Sequence, residues 1–182
     1  MIEQFTVGNL RVEIDFDHDP LNPRKYYDNF GHMVCWHSRY DLGDEQPKQD
    51  PAEWIDAFVK SSRGAVMLPL YLYDHSGITM KTSPFSCPWD SGQVGWIYVS
   101  REEILRELGG SRLTEALRDW AREILRGEVE IYDKYLTGET YQFVVFDCNG
   151  EVLDSGGGFD DLSYCTQEAK AAVDYITQAK AA

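Results

Sequence analysis

The sequence predicts an α+β fold: a mostly antiparallel sheet covered by about four helices, in a single domain over residues 1–182. Three observations carry that expectation. Leu10, Val12, Ile14 and Phe16 alternate with Arg11, Glu13 and Asp15, the period of a half-buried strand. Gly8-Asn9 and Asn149-Gly150 each sit between β-like runs and signal tight hairpins. Ile104, Leu105 and Leu108, then Leu117, Trp120, Ile124 and Leu125, recur at helical spacing.

The remaining elements follow in chain order. Phe5 to Phe16 is the first hairpin. Residues 19–31, with two prolines, two asparagines and Tyr26-Tyr27, read as a loop. His32 to Tyr40 reads as a strand with Cys35 and His37 on one face and His32 on the other. After a polar loop, Asp50 as N-cap and Pro51 at the first helical position start a helix that runs to Ser61. Trp54, Ile55, Phe58 and Val59 form its apolar stripe. Ala65 to Tyr73 is apolar enough for a central strand, with Pro69 marking a bulge or an edge. Ser76-Gly77 turns the chain into Ile78–Met80, and Val94–Val99 is the next strand. Ser100 and Glu103 form a capping box, and Gly109-Gly110 stops the helix they open. A longer helix starts near Leu113, breaks at Gly127 and resumes to Tyr135. Its Arg118, Arg122 and Arg126 beside Glu115, Asp119 and Glu123 describe a solvated face. Tyr141–Asp147 and Glu151–Asp154 make the second hairpin, and Gly156–Gly158 is expected as a flexible joint. Ala169, Val173 and Ile176 mark the last helix. Helices near 51–61, 100–135 and 165–179 are expected on one face of the sheet.

Charge bounds the function. Thirty-one acids against 17 bases give a formal net charge of −14 and disfavour direct binding of nucleic acid, which needs Lys and Arg for its phosphates. Such a chain is drawn to basic surfaces instead. Acids concentrate between Glu13 and Asp56 and between Glu128 and Asp174. Asp15, Asp17 and Asp19 in the first tract, and Asp154, Asp160 and Asp161 in the second, are candidate contacts, because carboxylates can stand in for phosphates before Arg. Asp15, Asp17 and Asp19 also begin like a calcium loop. Pro20 stands where that loop needs glycine and Tyr26 where it needs a bidentate Glu, so no metal is expected. Gly156–Gly158 lacks the context of a phosphate loop, and no cofactor is expected. Four widely spaced cysteines without a C-x-x-C pair, and the lack of a basic, apolar leader, point to reduced thiols in a cytoplasm. No apolar run reaches the roughly 20 residues of a membrane span.

The most unusual stretch is Leu68–Val99. It joins two β-like runs through Asp74-His75-Ser76-Gly77 and a loop holding Cys87, Pro88, Trp89 and Asp90. Read as chemistry, Cys87 is a thiol nucleophile with His75 as its base and Asp74 or Asp90 as orienter. Read as a surface, Asp74, His75, Trp89 and Asp90 are contacts on a loop anchored to the sheet. Pro88 removes a backbone N–H where an oxyanion donor would help, which favours the second reading.

Two strings, Tyr71-Leu72-Tyr73-Asp74-His75-Ser76-Gly77-Ile78-Thr79-Met80 and Phe85-Ser86-Cys87-Pro88-Trp89-Asp90-Ser91-Gly92-Gln93-Val94-Gly95, resemble a family of small proteins. That family is carried by phages, plasmids and integrated elements of Gram-positive gut bacteria. Asp28-Asn29-Phe30-Gly31-His32-Met33-Val34-Cys35 and Tyr132-Asp133-Lys134-Tyr135-Leu136-Thr137-Gly138 fit it too. The family is similar to type II-A anti-CRISPR proteins, which inhibit Cas9. The resemblance implies an inhibitor in the cytoplasm of a host bacterial cell, with Cas9 or its guide-RNA complex as partner. An acidic decoy of this kind could equally face a restriction enzyme.

Overall fold

The computed structural model describes residues 1–181. In chain order its elements are β1 (Glu3–Val7), β2 (Leu10–Phe16), α1 (Pro23–Tyr26), β3 (His32–Cys35), α2 (Pro51–Ser61), β4 (Val66–Asp74), β5 (Ile78–Lys81), β6 (Ser91–Val99), α3 (Arg101–Glu107), α4 (Glu115–Thr137), β7 (Tyr141–Phe146), β8 (Val152–Phe159) and α5 (Leu162–Ala181). All strand pairings within the sheets are antiparallel, as an α+β fold requires. The strands form two sheets where the sequence suggested one, in the orders β1-β2-β7-β8 and β3-β6-β4-β5. The chain divides accordingly. One unit is Met1–Leu21 joined with the chain from Thr137 onward, and the other is Asn22–Leu136. The second is an insertion between β2 and β7, which pair directly through Phe16 and Tyr141.

The split unit is a sheet backed by one helix. Leu10, Val12 and Ile14 of β2 are buried with Phe143 and Val145 of β7 against Cys165, Ala169 and Val173 of α5. Each such aliphatic side chain contributes about 1.5–3 kcal/mol by leaving water. Cys165 behaves here as a small hydrophobe, and burial pushes its thiol up to about 11. Gly156–Gly158 is not a joint: it lies inside β8, with irregular register against Tyr141 and Phe143. A Cβ on Gly156 would come 2.7 Å from the Phe143 ring, so this stretch is packed close.

The inserted unit has helices on both faces of its sheet, not on one. Met33, Cys35, Leu70, Leu72, Ile97 and Val99 form a core with Ile104 of α3 and Ala121, Leu125, Val129 and Tyr132 of α4. On the opposite face, Trp54 and Phe58 of α2 meet Trp36, Trp96 and Tyr98, with centroid separations of 5.6 Å for Trp36–Trp54, 5.9 Å for Trp54–Trp96 and 4.5 Å for Phe58–Tyr98. These rings give the polar-faced α2 its seat. At the centre, Gly95 of β6 lies opposite Cys35, where a Cβ would sit 2.0 Å from the Val34 carbonyl oxygen. The register slips between Leu70 and Tyr71, just after Pro69.

Four local expectations are corrected. Residues 19–31 contain the one-turn helix α1, capped by Asn22, whose Oδ1 accepts the Arg24 N–H. The strand at His32 ends at Cys35, and His37 lies beyond it in a turn, its Nδ1 accepting the Arg39 and Tyr40 N–H groups. Helix α4 runs through Gly127 without a break, because buried Leu125, Val129 and Tyr132 outweigh the roughly 1 kcal/mol that a helical glycine costs. Trp120 is off the buried stripe, 57% exposed, with Ala121 taking the inward position. The caps at Asp50 and at Ser100/Glu103 form as expected.

Candidate functional site

The fold cuts both acidic tracts and places only the start of the first, Glu13–Asp19, in one unit with the later part of the second, Glu139–Asp174; Asp28–Asp56 and Glu128–Asp133 lie in the inserted unit. Asp17, just after β2, accepts the Gly158 N–H on Oδ2 at 2.8 Å and the Asp19 N–H on Oδ1 at 3.1 Å. Asp15–Asp19 and Asp154–Asp161 therefore belong to one unit, stitched by the β2–β7–β8 ladder and by this carboxylate. That unit holds thirteen acids and three bases, a formal −10, whereas the inserted unit holds eighteen and fourteen, a formal −4.

The individual acids differ in their engagement. Asp15 Oδ2 lies 2.6 Å from the terminal ammonium of Met1, and that hydrogen bond holds its carboxyl below the ordinary range. Asp161 caps α5: its Oδ1 accepts the Tyr164 N–H at 2.8 Å and the Ser163 hydroxyl at 2.7 Å. Asp154 accepts only the neighbouring Ser155 N–H among its described bonds and is exposed, as is Asp19. Asp160 is half-buried. Asp147, not anticipated as a contact, closes the second hairpin by accepting the Asn149 and Glu151 N–H groups. The Glu151 bond leads in holding its carboxyl low.

In the inserted unit, the Leu68–Val99 stretch becomes β4, β5, a loop and β6. The loop is tied at several points. Phe85 packs on Tyr73 at 5.6 Å, Lys81 Nζ lies 4.1 Å over the Phe85 ring, the Ser91 hydroxyl donates to the Cys87 carbonyl, and the Asp74 N–H donates to the Asp90 carbonyl at 2.8 Å. Ser76 takes the left-handed backbone at φ 60°, the single described non-glycine residue that does so. Asp74, His75, Cys87, Trp89 and Asp90 do converge. His75 Nδ1 lies 3.4 Å from Asp90 Oδ2, and the Cys87 thiol donates to that same oxygen at 3.7 Å. Both groups thus address one carboxylate oxygen, and among the described contacts no hydrogen bond joins the thiol to the imidazole. A base-activated thiol needs the imidazole at the sulfur, whereas here the described partner of the thiol is the Asp90 carboxylate. Asp74 is paired with Arg39, which the sequence reading did not connect to it, and also accepts from the Tyr40 hydroxyl at 3.4 Å. Trp89 stands at the loop tip, 91% exposed. A cavity of about 360 Å³ opens beside it, lined by His37, Arg39, Asp74, Trp89, Asp90 and Ser91, among others.

The most elaborate polar cluster was not legible from the sequence. Arg24, its side chain 1% exposed, uses all five guanidinium donor positions. Nε and Nη2 reach Asp44 at 2.7 Å each, Nη1 reaches Glu128 at 2.8 Å and Asn29 at 2.9 Å, and Nη2 also reaches the Gly31 carbonyl at 2.6 Å. The acids also hold backbone: Asp44 accepts the Met33 N–H, and Glu128 those of Phe30 and Gly31. Burial opposes the charge on Arg24, but Asp44 and Glu128 outweigh it and raise its pKa. Nearby, burial and Asp44 push the Cys35 thiol up to about 12, and burial pushes the Tyr132 phenol up to about 12. With every donor used and the thiol held protonated, this cluster is a clamp between α1, β3 and α4.

Among the described residues no three His, Cys, Asp or Glu side chains gather as a metal site, and no helix is long and apolar enough to cross a membrane. Compared with known proteins, the chain matches no family model, no curated protein and no solved structure.

Proposed function

We propose that this protein binds a basic, nucleic-acid-handling protein surface and inhibits it stoichiometrically, with the split unit competing for the place of phosphate. The observation that carries this reading is the concentration of charge: a formal −10 gathered into the unit that unites Asp15–Asp19 with Asp154–Asp161. Carboxylates on an ordered sheet meet Arg and Lys in the geometry that phosphates use. The resemblance of the Tyr71–Met80 and Phe85–Gly95 strings to a mobile-element family that is similar to type II-A anti-CRISPR proteins makes Cas9, whose heteroduplex channel is positively charged, the first effector to test. The alternative of a small enzyme built on Cys87 and His75 is disfavoured because the described partner of the thiol is the Asp90 carboxylate rather than the imidazole.

The test is a pull-down against guide-loaded Cas9 together with a cleavage assay titrated in inhibitor. The expected result is a complex that weakens with salt, since screening acts over roughly 8 Å near physiological ionic strength, and inhibition that saturates near one inhibitor per effector. No complex at low salt, with cleavage intact at large excess, removes Cas9 as the target; the same assay with a restriction enzyme then tests the other effector. Inhibition far below equivalence would instead indicate catalysis. Cys87→Ser then distinguishes the enzyme: a stable but inactive variant would overturn the stoichiometric reading.

A further inference from the structure

We infer that the Trp89 cavity is a receptor for a single arginine side chain of a partner protein, its guanidinium lying on the Trp89 indole and pairing with Asp90. This concerns the inserted unit and does not depend on which effector is bound.

The inference begins with the exposure of Trp89. An indole that is 91% exposed loses the apolar burial its size would provide. Asp74 N–H, Ser91, Cys87 and Phe85 fix the loop on both sides. An outward Trp on a tied loop is of the residue type that dominates binding energy at protein interfaces. Its neighbours state the chemistry of the occupant. Asp90 follows it directly, with its side chain 40% exposed at the cavity. Asp74 lines the same cavity. A ring and a carboxylate side by side select a flat cation, and Arg, which is weakly hydrated and stacks face-on, fits better than Lys.

The molecule builds the same arrangement twice from its own residues. Arg11 pairs with Glu13 while its Cζ lies 4.3 Å from the Phe146 ring centroid. Arg39 pairs with Asp74 while its Cζ lies 5.5 Å from the Tyr40 centroid. Trp89 and Asp90 present the ring and the carboxylate of a third such unit, with the better ring type of the three. Among the described residues no Lys or Arg lies over the Trp89 ring. Arg39 is committed to Asp74, whose N–H is bonded to the Asp90 carbonyl. Asp90 Oδ2 takes the Cys87 thiol and lies near His75 Nδ1, and Oδ1, to which no described bond runs, is the acceptor offered to a cation from outside.

The experiment titrates the full chain with acetyl-Gly-Arg-Gly-amide, its lysine counterpart and its citrulline counterpart, following the tryptophan indole N–H signals by NMR, with Trp89 assigned from Trp89→Phe. The expected result is a saturable shift of the Trp89 signal with the arginine peptide, about five- to tenfold weaker binding of the lysine peptide, and no saturable shift with citrulline. Trp89→Ala should lower arginine affinity about tenfold at an unchanged melting temperature, and Trp120→Ala, which removes the other strongly exposed indole, should leave it within twofold. Equal binding of arginine and lysine, or Trp89→Ala within twofold of the parent, overturns the inference in favour of diffuse charge attraction. The two proposals fail separately. Loss of the Cas9 complex with intact arginine binding defeats the effector assignment alone. A Cas9 complex that tolerates Trp89→Ala, with no arginine selectivity, defeats the receptor alone.

Discussion

The two units handle charge in opposite ways. The inserted unit has nearly as many bases as acids and pairs them within itself. Arg24 is clamped by Asp44 and Glu128, Arg122 by Glu115 and Asp119, and Arg126 by Glu123. The split unit has three bases for thirteen acids, so its carboxylates cannot be matched within it. Some of them hold backbone instead, as Asp17 holds Gly158 and Asp161 holds the start of α5. The lesson is that a net charge of −14 is not a property of the whole surface. One unit matches most of its charge within itself, through the buried Arg24 and through exposed pairs along α4, and the other carries the excess.

The largest test of this contrast is Arg24→Met. It would leave Asp44 and Glu128, both of which water still reaches, facing each other without their buried cation; breaking a fully buried pair typically costs about 3–5 kcal/mol, and solvation of the two carboxylates lowers the expected cost to about 2–3 kcal/mol. Urea unfolding should show a loss of that size, with faster amide exchange in β3 and α4. A loss under about 1 kcal/mol would mean that the cluster is not a fastener and would remove one side of the comparison.

The legibility of these features in the sequence follows their range. Hairpin turns, the Asp50 and Ser100/Glu103 caps, and strand alternation in Leu10–Phe16 depend on residues a few positions apart and were readable. The approach of Asp74 and His75 to Trp89 and Asp90 was readable in part, since one stretch, Leu68–Val99, carries them, although it is the β4–β6 pairing that brings the end of β4 to the start of β6. Arg24 was not: its partners lie 20 and 104 positions away, and a lone Arg in a Pro- and Asn-rich segment looks like loop surface. Trp120 misled because its spacing fits a stripe equally well one residue off Ala121. Gly156–Gly158 misled because glycine marks both a flexible joint and a strand closely approached by its neighbours, and only the packed Phe143 ring decides between them. The division into two sheets was hidden because it rests on β2 pairing with β7 across an insertion of more than a hundred residues, a contact to which local pattern is blind.

A smaller effect sharpens the account of the inserted unit through pH. Glu103 is partly buried, which alone would raise its pKa; hydrogen bonds from His32, with Nε2 2.7 Å from Oε1, and from Ser100 more than reverse this and hold it at about 2. The folded value lies below the unfolded value of about 4.5, so its contribution is complete above that pH and is lost as pH falls from about 4.5 to about 2. Glu103→Gln should cost about 1–2 kcal/mol near neutrality and flatten the stability curve within that acid window. An unchanged acid limb would show that the capping box of α3 is not among the ionic fasteners.

The smallest effects divide the carboxylates of the split unit among themselves. Asp17→Ala removes the acceptor of the Gly158 N–H inside a strand whose backbone is closely packed, and an unsatisfied, half-buried donor costs about 1–3 kcal/mol; with water reaching the site, about 1 kcal/mol is expected. Asp154→Asn leaves the Ser155 N–H with an oxygen acceptor on an exposed strand, so its stability should stay within about 0.5 kcal/mol. Binding should rank in the reverse sense once stability is accounted for. Asp154→Asn removes a charge that the fold does not need, and association with the proposed basic partner should weaken with a shallower dependence on salt. Thermal melts give the first ranking, and equilibrium binding at two ionic strengths gives the second. If Asp154→Asn destabilises as much as Asp17→Ala and leaves binding unchanged, the excess charge of this unit serves its own fold, and the contrast between fastener and contact disappears.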